Sequence, residues 1–115
     1  MTLPHENERF WQSDEVFVAT NPQRTAEAEG LAAFACASEA TRGLLFFQTS
    51  GSEGVPKWVG LSRAAFLASA RAVNAHLQAT ARDRWSIVLP LRHVGGFAIL
   101  ARCSAAGAEC FLHRT

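Results

Sequence analysis

A chain of 115 residues is long enough to bury the core of one domain and too short for two of ordinary size. Hydrophobic residues make up 49% and charged residues 18%, the balance of a soluble globular protein, and a net charge of +1 argues against a nucleic-acid or anionic-membrane surface. Lys57 is the only lysine, and the arginines are spread along the chain rather than clustered. The three cysteines, Cys36, Cys103 and Cys110, are odd in number and lack C-x-x-C spacing, which reads as small buried hydrophobes in a reduced, cytoplasmic protein. Pro4, His5, Glu6, Glu8 and Arg9 are wrong for a signal peptide, and the apolar stretches fall short of the roughly 20 residues a membrane helix needs.

In chain order, residues 1–24 form a polar N-terminal segment with Phe10, Trp11 and Phe17, closing on the turn signal Asn21-Pro22. From Thr25, a candidate N-cap, the pattern is helical, with Glu27 and Glu29 near the positive end and Leu31, Phe34 and Ala35 as its apolar stripe; Gly43 closes that region. Leu44-Leu45-Phe46-Phe47 predicts a strand buried on both faces. A loop over 49–57 follows, then a brief strand Trp58-Val59-Gly60-Leu61. Ser62 caps a helix with Phe66, Ala70, Val73 and Leu77 on its apolar face. Trp85–Leu89 reads as a strand stopped by Pro90. A helix from near Gly95-Gly96 to Gly107 and a last strand Cys110-Phe111-Leu112 complete the series. Strands alternating with helices predict an α/β fold with a mostly parallel sheet, in which ligands bind beyond the carboxyl ends of the strands.

The loop Thr49-Ser50-Gly51-Ser52-Glu53-Gly54-Val55-Pro56-Lys57 leaves one such end. Glycines let successive N–H groups point into one concavity, which binds anions; hydroxyls add donors and the ammonium a compact charge for phosphate oxygens. On composition alone, a solvated Ser/Gly turn explains the segment as well. A Walker A loop does not, because Gly51 and Gly54 are too close together and Pro56 precedes Lys57.

The segment resembles the signature of the AMP-binding, acyl-adenylate-forming superfamily, T-S-G-[ST]-[TE]-G-x-P-K-G. It matches at Thr49, Ser50, Gly51, Ser52, Glu53, Gly54, Pro56 and Lys57 and departs at Trp58, where that pattern has glycine. Leu89-Pro90-Leu91-Arg92-His93-Val94-Gly95-Gly96 resembles the family's P-[LM]-[FY]-H-x-x-G segment, with Arg92 in place of the aromatic. Within the superfamily the chain is most similar to the o-succinylbenzoate–CoA ligases of menaquinone synthesis.

The resemblance implies an ATP-dependent acid–CoA ligase. A carboxylate attacks the α-phosphate of ATP, giving an acyl-adenylate and pyrophosphate, and the thiolate of CoA then displaces AMP. It assigns Thr49, Ser50, Gly51, Ser52, Glu53, Gly54 and Lys57 to the phosphates of ATP, Glu53 to Mg²⁺ directly or through water, and catalytic roles to Lys57 and to His93 on the acyl-substrate side. It makes the chain a partial AMP-binding domain, the beginning of the family's large N-terminal domain. No segment like Y-G-x-T-E, no ribose-binding aspartate and no mobile C-terminal domain follow, so the expectation is a piece that does not complete the cycle alone. An uncovered sheet edge would then favour self-association or a partner chain.

Without the resemblance, His93 is a strand-end histidine, and His5, His76 and His113 are too scattered for a metal set. Trp11, Trp58 and Trp85 read as packing residues, and Arg63, Arg71, Arg82 and Arg84 as a solvated helix face and its end. Two other readings stay open. One is a non-catalytic nucleotide- or phosphate-binding module, or a subunit completing a partner chain. The other is a kinase or NTPase with an unusual loop.

Overall fold

The computed structural model of the chain describes residues 8–19, 25–49 and 57–113. Within them the elements run α1 (Glu8–Gln12), β1 (Phe17–Val18), α2 (Thr25–Cys36), α3 (Glu39–Arg42), β2 (Leu44–Thr49), β3 (Lys57–Ser62), α4 (Arg63–Leu77), β4 (Arg84–Ile87), α5 (Val94–Ala106) and β5 (Glu109–Leu112). The Asn21-Pro22 turn, the Thr25 side chain and the loop interior 50–56 lie outside the described residues.

The strands form an ordered sheet β1-β2-β3 and a pair β4-β5. β1 runs parallel to β2, with Phe17 opposite Leu45, and β4 runs parallel to β5, from Arg84 opposite Glu109 to Ile87 opposite Leu112. These pairings agree with the α/β, mostly parallel reading. The longest ladder is antiparallel: β2 meets β3 from Leu44 opposite Ser62 to Thr49 opposite Lys57. Sequence distance explains this, since the short stretch 50–56 cannot make the crossover of about a dozen or more residues that parallel neighbours require.

Side chains directly opposite share a face, so Leu45, Phe47, Thr49, Lys57, Val59 and Leu61 point to one side of this sheet. Phe46, Gln48, Trp58 and Gly60 point to the other. On the first side Phe97 of α5, fully buried, gathers five rings at centroid distances of 5.3–5.8 Å: Phe10, Trp11, Phe17, Phe47 and Phe66. Leu45, Ala70, Leu100 and Cys103 complete this core. On the second side Gly60 lies beneath the Phe46 ring, where an added Cβ would stand 2.8 Å from Cε1.

Several expectations are corrected by packing. Of the expected α2 stripe, Ala35 is fully buried as expected but Phe34 is 74% exposed, and Ala28 is buried beside Ala35. A helix that approaches a sheet through alanines lies close to it and leaves a larger neighbour outside. On α4 the buried positions are Arg63, Phe66, Ala70 and Asn74, while Leu77 is 55% exposed. Ser62 caps this helix as expected, its Oγ accepting from the Ala65 N–H at 3.0 Å. β4 ends at Ile87, two residues earlier than expected, and Val88 and Leu89 are exposed. Cys36 is exposed, whereas Cys103 and Cys110 are buried.

Arg63 departs furthest from expectation. Its guanidinium is buried rather than solvated, with Nε donating to the Phe10 carbonyl at 2.7 Å and Nη1 donating to the Glu15 and Gly43 carbonyls at 2.8 and 3.0 Å. It lies over the Phe10 ring, 4.8 Å from its centroid. Burial lowers its pKa, while the carboxylates of Glu15 and Asp14 pull the other way. The first residue of α4 thus clamps the N-terminal segment to the start of β2. No helix among the described residues is long and apolar enough to cross a membrane.

Candidate functional site

β2 and β3 bring the two ends of the Ser/Gly loop together. Thr49 and Lys57 are direct cross-strand partners, and the Thr49 hydroxyl donates to the Lys57 carbonyl at 3.4 Å, a long and weak bond. Both residues are exposed, and both side chains point to the face on which α4 and α5 pack. Next to Lys57 on that face is Val59, 40% exposed, so the floor below the loop is apolar and open. Ser50, Gly51, Ser52, Glu53 and Gly54 lie outside the described residues.

His93 is the N-cap residue of α5, with extended backbone and no side-chain cap bond. Its N–H donates to the Pro90 carbonyl and its own carbonyl accepts from the Phe97 N–H, both at 3.0 Å, leaving the imidazole exposed. Gly96 makes this corner possible: a Cβ there would sit 2.5 Å from the Pro90 oxygen and 2.9 Å from the Leu89 oxygen. Phe47 and Phe97, 5.3 Å apart, hold the strand entering the loop against the helix that His93 opens. The two motifs are therefore tied through one core contact. His76 and His113 stand elsewhere, His113 Nε2 lying 3.1 Å from Ser86 Oγ. Among the described residues no group of three or more His, Cys, Asp and Glu side chains is placed to hold a metal ion.

Three features of this region escaped the sequence. The Trp58 indole N–H donates to Glu27 Oε1 at 2.8 Å, tying the start of β3 to α2. Across from Trp58, the buried Gln48 Nε2 has no partner among the described residues. A groove of about 250 Å³ between α4 and α5 is walled by Leu61, Phe66, Ser69, Val94 and Arg102, and it is mainly apolar. None of these has a local sequence signal, because each depends on residues brought together by the fold. A second cavity of about 420 Å³, around Phe10, Ser13 and Glu15, belongs to the Arg63 clamp.

The profile of the AMP-binding enzyme family matches residues 7–115, and the chain belongs to that family. It is similar to the 2-succinylbenzoate–CoA ligase of Salmonella typhimurium, 40% identical over 78 residues, which is 68% of this chain and 17% of the relative. Among solved structures it is similar to the o-succinylbenzoate coenzyme A synthetase of Bacillus subtilis in complex with ATP and magnesium ion, with 32% identity and TM-score 0.53 over 60% of this chain and 18% of that one. It is also similar to an acyl-CoA synthetase (AMP-forming)/AMP-acid ligase II-like protein of Dyadobacter fermentans, with 25% identity and TM-score 0.58 over 82% of this chain and 26% of that one. The chain thus spans about a sixth of the length of the ligase it matches in sequence.

Proposed function

We propose that this chain supplies the triphosphate-gripping part of an ATP-dependent acid–CoA ligase, with 2-succinylbenzoate the acid suggested by the relatives' names. The observation that carries the reading is the hairpin. It sets Thr49 and Lys57 side by side at the mouth of a Gly/Ser loop, on the face where His93 opens α5. In this reading the loop N–H groups, the hydroxyls of Thr49, Ser50 and Ser52 and the Lys57 ammonium hold the phosphates of ATP, with Gly51 and Gly54 giving the backbone its close approach. Their contribution is positioning and charge stabilisation, and no residue need become covalently attached.

His93 stands on the acyl side, beside the groove between α4 and α5. That groove suits an acid with an apolar body, and Arg102 on its wall suits a second anionic group. The hydroxyl and carboxylate oxygens of Thr49, Ser50, Ser52 and Glu53 are the kind of donors a hard cation accepts, so they fit magnesium. Bound there, the ion would neutralise phosphate charge. CoA enters as the thiol substrate of the complete ligase, and the buried Cys103 and Cys110 suit a reducing cytoplasm.

Calorimetric titration of the chain with Mg·ATP, wild type against Lys57→Ala, tests the reading. The expected result is saturable binding that weakens about tenfold or more in the variant, the scale of one lost charge-assisted contact. Equal affinity in the two proteins would refute the role of Lys57. Absence of binding by the folded chain would mean that the loop does not grip phosphate in this protein.

A further inference from the structure

We propose that Trp58 is a positioning residue for Lys57, acting through the Glu27 carboxylate on α2. The inference rests on the phosphate-binding reading of the loop. Lys57 and Trp58 are consecutive on β3, so their side chains leave opposite faces of the sheet. The indole N–H is held at 2.8 Å by Glu27 Oε1 in the first turn of α2. With the neighbouring side chain held on the α2 face, the end of the β2–β3 ladder is braced against fraying, and the ammonium stays on the α4/α5 face.

The latch acts at the residue after the loop, where the ladder ends at the pair Thr49 and Lys57. Among the described residues the side-chain contact across that terminal pair is the 3.4 Å bond from the Thr49 hydroxyl to the Lys57 carbonyl, which is too weak to set the lysine by itself. Gln48, directly opposite Trp58, makes no hydrogen bond through its buried Nε2 to any described residue. Trp58 stands where the resembled signature has glycine, a residue with no side chain to be held. The bulky residue is therefore the handle that fixes the loop's exit. Lysine position in this chain depends on a helix remote in sequence from the loop.

The test uses the fact that Lys57 is the only lysine, so a lysine-specific protease reads one bond, Lys57–Trp58. Cleavage rate and Mg·ATP affinity are measured on wild type, Trp58→Phe, Glu27→Ala, Glu27→Gln and the Trp58→Phe/Glu27→Ala double variant. Trp58→Phe and Glu27→Ala should each speed cleavage and weaken Mg·ATP binding about three- to tenfold, the range of one hydrogen bond to a charged group. The double variant should do no more than either single one. Glu27→Gln retains an acceptor oxygen and should restore most of both effects. In a Lys57→Ala background the latch variants should leave Mg·ATP affinity unchanged, which a general loss of stability would not do.

Unchanged cleavage in the single variants overturns the latch. Faster cleavage with unchanged affinity overturns the positioning role while the phosphate-binding reading stands. Faster cleavage in a wild-type background that never binds Mg·ATP overturns both the positioning role and the reading on which it rests, leaving a contact that serves the fold alone.

Discussion

Arg63 shows how much one side chain can carry when the backbone around it lacks a regular partner. Three carbonyls, from Phe10, Glu15 and Gly43, belong to segments that are neither strand neighbours nor parts of one helix, and one planar fork serves them all. A lysine has enough protons but no fork, and cannot direct them to three carbonyls while lying flat on the Phe10 ring. Arg63→Lys should therefore cost about 2–3 kcal/mol, since hydrogen bonds from charged donors contribute more than neutral ones and the abandoned carbonyls stay partly buried. Urea denaturation measures it as a lowered midpoint at unchanged slope. A midpoint within error of wild type would show that the carbonyls find other donors. This role was not legible in the sequence: an arginine at the start of an amphipathic helix ordinarily lies in solvent, and its partners are 20 to 53 positions away.

At the scale of elements, legibility followed the range of the forces involved. The Leu44–Phe47 strand, the Ser62 cap and the Gly107 stop were readable because each rests on local chemistry: a doubly apolar run, a hydroxyl reaching an N–H three residues on, and a residue at φ 69°. The hairpin's antiparallel sense followed from the loop length and was masked by the expectation of alternating strands and helices. In the α2 stripe Ala35 was read correctly and Phe34 was not, because periodicity ranks phenylalanine above alanine, whereas the close approach of this helix favours alanine. At the candidate site, the two motifs were legible as strings, but the Phe47–Phe97 contact that joins them was not.

The corner between β4 and α5 gives a sharper element-scale test through two adjacent glycines. A Cβ at Gly96 would meet backbone oxygens of Pro90 and Leu89, neither of which can swing aside, so Gly96→Ala must shift the helix start. The expected loss is about 1–3 kcal/mol, the usual range for overpacking. A Cβ at Gly95 would meet only Leu89 Cδ1 at 3.3 Å, the end of an exposed, rotatable side chain. Gly95→Ala should be neutral or stabilising by up to about 1 kcal/mol through helix propensity. Thermal melts of both variants decide the matter, and equal effects would show that the corner accommodates a Cβ at either position. Because His93 caps the same helix, Gly96→Ala should also weaken any acyl-side role of the imidazole more than Gly95→Ala does.

For the molecule as a whole, the β4-β5 pair raises the question of what covers a parallel sheet. Its Trp85, Ile87, Cys110 and Leu112 side face packs with α5 and the core, with Ile87 and Cys110 almost wholly buried. The opposite face carries Arg84, Ser86, Glu109 and Phe111, joined by an Arg84–Glu109 pair at 3.6 Å between exposed side chains. Such a pair contributes on the order of 0–1 kcal/mol and does not repel water from Phe111. Parallel sheets are almost always covered on both faces, and just beyond this one Val88 and Leu89 are 63% and 48% exposed. Here described residues cover only the α5 face. A second copy of the chain can supply the missing cover when the chain stands alone, since the same apolar residues face outward on both. Sedimentation velocity over a hundredfold concentration range should show reversible self-association of the wild type. Leu89→Ser with Phe111→Ser should reduce it, while melting temperature falls little because both residues are exposed. A monomer at every concentration would show that the polar groups on that face, with Ser86 and His113 hydrogen-bonded across it, satisfy the sheet without a partner.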